Sequence, residues 1–152
     1  MQQKGRENME DFIILKINNN GHDDAASFKE ELSKYAVDTF VEHSDLAIEF
    51  INYVLPVANF AIAFLALPYI AQYIDKRIIT VTFGAFELNN NWKSVLKDIC
   101  KDPEVKADFI KAFNSHKVDY KGKSPYVLKF YSEIKAELGL LSDPKEGNTE
   151  ND

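Results

Sequence analysis

The sequence predicts an α+β domain of about five helices and a small two- or three-stranded sheet, with a central, very apolar helix packed on it. Three observations carry this. FIILKI (12–17) and RIITVTF (77–83) are β-branched apolar runs bounded by turn residues. INYVLPVANFAIAFLALPYIAQYI (51–74) holds no charged residue in 24 positions. The last third repeats amphipathic helical spacing three times, each time behind a residue suited to cap a helix.

In chain order, residues 1–10 are polar, without the apolar stretch of a secretory signal, and read as a flexible arm. FIILKI is a strand that stops at NNNGHDD. Ser27 and Glu30 then have the spacing of a capping box, in which each side chain bonds a free backbone N–H. Behind them Phe28, Leu32, Tyr35, Ala36, Thr39 and Phe40 keep one helical face as far as His43. Ser44 caps a second helix, apolar all round past Phe50 and ended by Asp75-Lys76-Arg77. In RIITVTF, Ile79, Val81 and Phe83 alternate with threonines, and Gly84 marks a bulge or a tight hairpin.

Asn91 caps a helix with Trp92, Val95, Leu96 and Ile99 on one face. Asp102-Pro103 starts the next, with Val105, Phe109, Ile110 and Phe113 inward. Ser124-Pro125 starts the last, and Gly139 ends it with Leu140 folding back. Residues 11–141 thus form one domain, and 142–152 read as a disordered acidic tail of net charge -3.

The apolar run poses a fork. Its length suffices to span a bilayer, and basic residues flank its end. Against that, Pro56, Asn59, Pro68 and Gln72 weaken insertion. A span would also strand FIILKI and RIITVTF on opposite sides, each with unpaired backbone groups. The core helix is favoured; a span, or a helix exposed conditionally, stays open as the alternative.

Composition excludes more than it selects. Net charge is -6 with no basic stripe, which disfavours nucleic acid. Cys100 is the sole cysteine, so there is no disulfide within the chain and no cysteine-based zinc site; this usage suits a reducing cytoplasm. Gly122-Lys123-Ser124 lacks the first glycine of a phosphate loop, and the pairs Glu133/Glu137 and Asp98/Asp102 lie on outward faces. Gly21-His22-Asp23-Asp24 is explained as a capping loop rather than a metal site. No catalytic, cofactor or metal residue is nominated. The one locally basic, aromatic stretch, with His116, Lys117, Tyr120, Lys121 and Lys123, is a candidate partner-contact loop. The strand–helix–apolar helix–strand order is similar in layout alone to small accessory modules of bacterial conflict systems, and carries over no residues. The expected function is a small acidic non-enzymatic interaction module: an adaptor, inhibitor or immunity-type partner with a protein ligand or a second copy. The alternative is a membrane-associated component using residues 51–74.

Overall fold

The computed structural model describes residues 12–18, 26–88, 90–116 and 124–140, with Ala26 and Ser27 in backbone only. The expected arm and acidic tail lie outside the described residues. In chain order the elements are β1 (Phe12–Asn18), α1 (Ala26–Ser33), β2 (Asp38–His43), β3 (Glu49–Pro56), α2 (Val57–Ala66), α3 (Tyr69–Asp75), β4 (Ile79–Phe83), β5 (Phe86–Leu88), α4 (Trp92–Ile99), α5 (Pro103–Ser115) and α6 (Pro125–Glu137).

The sheet has five antiparallel strands in the order β2-β3-β1-β4-β5, two more than the largest expected. β1 is its middle. Ile13, Leu15 and Ile17 point inward and are fully buried, and Leu55, Tyr53 and Ile51 lie beside them on β3. Phe83, Val81 and Ile79 take the same places on β4. The helices pack on this inner face, α2 against β3, β1 and α5, and α3 against β4 and α4.

Two predicted helices are corrected. The helix expected over 27–43 begins at Ala26, ahead of Ser27, and ends at Ser33; residues 38–43 are strand β2. Asp38, Thr39 and Val41 are weak helix formers, and the adjacent pair Thr39 and Phe40 points to opposite sides of a strand. The single helix expected from Ser44 to Ile74 is a turn, a strand and two helices. Ile51, Tyr53 and Leu55 alternate inward as a strand requires. The prolines, read as weak points inside one helix, are its boundaries: Pro56 precedes α2 and Pro68 precedes α3. Pro68 forces Leu67 out of helical geometry, to φ -123° and ψ 80°, and the two helices meet at 94°. Among the described residues no single helix is long and apolar enough to cross a membrane.

The expected caps elsewhere form. Asn91, Asp102 and Ser124 each accept from a backbone N–H of the first turn, at 2.9, 2.9 and 3.3 Å. Gly139 adopts φ +76°, and Leu140 N–H donates to the Lys135 carbonyl at 2.8 Å, closing α6. Arg77 does the same for α3 at φ +62°, with Ile78 N–H donating to Tyr73 O at 2.8 Å.

Phe64 on α2 is the hub of an aromatic cluster that joins α2 to the C-terminal helices. Its ring centroid lies 5.4 Å from Phe60, 6.1 Å from Trp92, 6.2 Å from Phe109 and 5.6 Å from Phe130. Tyr131, from α6, donates its hydroxyl to the Leu65 carbonyl at 2.6 Å, which satisfies one of the free acceptors at the end of α2. Truncation of Phe64 to alanine therefore opens a cavity bordered by four helices. Phe64→Ala is expected to cost about 3–5 kcal/mol in urea unfolding, and Phe64→Leu less than half of that.

Candidate interaction edge

Helical cover stops short of one side of the sheet. All six residues of β2 are exposed, on both faces. Around it Val37, Phe40, Val41 and Leu46 are exposed by 59, 46, 51 and 79%. Such residues at one border of a small domain are more than scattered surface apolars.

The main chain of β2 has a definite outward side. Ser44 N–H donates to the Ile48 carbonyl at 2.9 Å, so this pair is hydrogen-bonded. Bonded and non-bonded pairs alternate in an antiparallel ladder. Glu42, Phe40 and Asp38 therefore bond to β3, opposite Phe50, Asn52 and Val54. Thr39, Val41 and His43 turn their backbone N–H and C=O away from the sheet. Thr39 N–H is met by the neighbouring Asp38 carboxylate at 2.9 Å, as an outward donor would be. Among the described residues, the free edge thus consists of the N–H and C=O of Val41 and His43 and the C=O of Thr39.

A strained turn holds this hairpin in register. Ser44 Oγ accepts from the N–H of Leu46 and of Ile48, at 3.1 and 3.3 Å, and Ala47 N–H returns to Ser44 O at 3.0 Å. Ala47 sits at φ +64°, the left-handed position that three-residue hairpin loops usually give to glycine. On the solvent-side face, Glu42 accepts from the buried Asn52 amide at 3.2 Å and lies 3.5 Å from Lys16 Nζ, which sits 4.7 Å over the Phe50 ring.

The loop predicted for partner contact falls elsewhere. Of its residues only His116 is described; Lys117, Tyr120, Lys121 and Lys123 lie outside the described residues. His116 follows α5, and its Nε2 is 3.3 Å from the Tyr131 hydroxyl. It closes one end of a groove of about 410 Å³ between α2 and α5, floored by Ala58, Ile62 and Ala112. A second hollow, of about 570 Å³, lies between the β5 hairpin and the start of α5, beside Phe86, Leu88, Lys101 and Asp102. The first groove is also lined by Ser115, whose hydroxyl donates to the Lys111 carbonyl at 2.8 Å. Among the described residues no three His, Cys, Asp or Glu side chains gather as a metal site. Along the apolar run 51–74, Ala58, Ile62 and Tyr69 are the exposed residues; the rest are buried or half-buried. Compared with protein-family models, curated protein sequences and solved structures, the chain matches none.

Two measurements follow from this geometry. Ala47→Gly removes the left-handed penalty at the hairpin turn and should stabilise the chain by about 0.5–1 kcal/mol in urea unfolding. A destabilised variant would mean that Ala47 is not held left-handed in solution. Burial pushes the half-buried Cys100 thiol up to about 11, with Lys106 opposing only in part. A raised value keeps the thiol protonated and unreactive at neutral pH. Alkylation of Cys100 in the folded chain at pH 7 should run about a hundredfold slower than in urea, and keep rising with pH beyond 9. A plateau near pH 8.5 would contradict this.

Proposed function

We propose that this chain is a small, acidic, non-enzymatic protein-interaction module that binds by strand addition. An extended segment of a partner protein pairs with the outer side of β2 and becomes the sixth strand of the sheet. The observation that carries this reading is the bare edge of β2. It offers main-chain groups at Val41 and His43 that no described residue pairs, and apolar side chains on both faces.

Edge strands are ordinarily blunted by brevity, by charged side chains and lysine above all, by proline, or by a covering element. The opposite edge, β5, follows the first of these with three residues. β2 has six residues and neither lysine nor proline, and its charged residues are the acidic Asp38 and Glu42. A partner strand supplies what those devices would otherwise supply, and an adaptor, inhibitor or immunity-type role is compatible with such a contact.

Val41→Pro tests the reading. Proline removes an outward N–H and obstructs strand addition, yet breaks no bond to β3, because Val41 faces away from it. The variant should unfold within about 1 kcal/mol of the parent. It should also lose the proteins that the parent captures from its native host, whereas Leu128→Lys on α6 should keep them. Identical captures by the parent and Val41→Pro would overturn the proposal.

A further inference from the structure

Main-chain pairing is nearly blind to sequence, so selection at the β2 edge falls to its side chains. Resting on the strand-addition reading, we infer that the partner segment is basic on one face, with Lys or Arg on either side of an apolar residue. On the solvent-side face of β2 the order is Asp38, Phe40, Glu42; on the other it is Thr39, Val41, His43. A strand added alongside sets its own alternate residues about 5 Å from these. Residues opposite Asp38 and Glu42 meet carboxylates, and the one between them meets the Phe40 ring.

The surroundings reinforce this. Residues 37–50 hold Asp38, Glu42, Asp45 and Glu49 and no lysine or arginine. Lys16 is the one cation within ion-pair reach of Glu42 among the described residues, and the Glu42 side chain is still 48% exposed. Asp38 and Asp45 have no described cation within reach. The acids do not create the site; the unpaired edge does, and the acids choose among its occupants.

They also argue against a second copy. Antiparallel pairing of β2 with itself must align the outward residues 39, 41 and 43. Centred on Val41, it places Glu42 diagonal to its own counterpart. Centred one residue earlier it sets Asp38 opposite Glu42, and one residue later Glu42 opposite Glu42. Like charges across a strand pair repel, so each close register is penalised, while a basic strand gains in all of them.

Two blocked heptapeptides provide the test, Thr-Lys-Val-Ile-Val-Lys-Thr and its Thr-Glu-Val-Ile-Val-Glu-Thr counterpart. Each is titrated into the full chain at low ionic strength, with amide exchange of Val41 and His43 as readout. The lysine peptide should protect both amides and bind about tenfold more tightly than the glutamate peptide. In Asp38→Lys, which leaves the Lys16–Glu42 pair in place, that preference should shrink by at least threefold. Equal binding of the two peptides, or preference for glutamate, would overturn the basic-partner inference and leave the edge intact. If neither peptide slows exchange at Val41 and His43, the strand-addition reading itself is overturned.

Discussion

β1 is the constraint on which the rest of the structure depends. It hydrogen-bonds on both sides, and its inward residues Ile13, Leu15 and Ile17 have no exposed surface. A shift of one residue would turn all three to the other face, so the registers of β3 and β4 are set by the same burial. Because both neighbours run antiparallel to β1, they run parallel to each other. The chain between them cannot be a hairpin; it must cross over β1.

That crossover explains the charge-free stretch. β3 ends at Pro56, opposite Phe12, and β4 begins at Ile79, opposite Ile17. The chain must travel back about 17 Å along the sheet, and the ten residues of α2 cover about 15 Å of it. α3, nearly perpendicular to α2, then leads over to β4. α2 packs between the sheet and α5, and α3 between β4 and α4, so a charge along the inner side of either would be desolvated. Residues 51–74 lack charge because they line both layers of a core, as a strand, a lengthwise helix and a transverse one.

The same two-sided burial made this region the hardest to read in the sequence. FIILKI and RIITVTF were legible as strands because their alternation and turn residues are plain. The last three helices were legible from their caps and stripes, each of which forms as expected. INYVLP was not, since Val54 and Pro56 on the outer face blur the inward alternation of Ile51, Tyr53 and Leu55, and a short, mostly apolar run has no clear period to distinguish it from a buried helix. β2 is hidden in the sequence for the opposite reason. With all six residues exposed it carries no burial pattern, and Thr39 and Phe40 completed a helical stripe by coincidence. The signal that could have found both strands was SDLA at 44–47, a turn sequence between β-branched runs. Local charge such as that of the basic loop is visible in a sequence; an unpaired backbone edge is not. It is created by the strand order, which places β2 outermost.

The bareness of β2 follows from that order. Helices reach a sheet through the connections that carry them, and β2 joins β3 through a three-residue turn that brings no helix. The crossover helices lie over β1 and its neighbours. α1, which leads into β2, packs inward instead, with Leu32 fully buried and Phe28 edge-on to Tyr73 at 5.2 Å. Asn59 on α2 ties it there by donating to the Tyr35 carbonyl at 3.1 Å. β2 therefore hangs past the helical layer, held by one ladder and one strained turn. An edge so placed is open to any extended chain, and only side-chain charge can narrow the choice. Asp38 serves both ends: its carboxylate satisfies the outward N–H of Thr39, which removes one point of attachment, and it contributes negative charge beside those that remain.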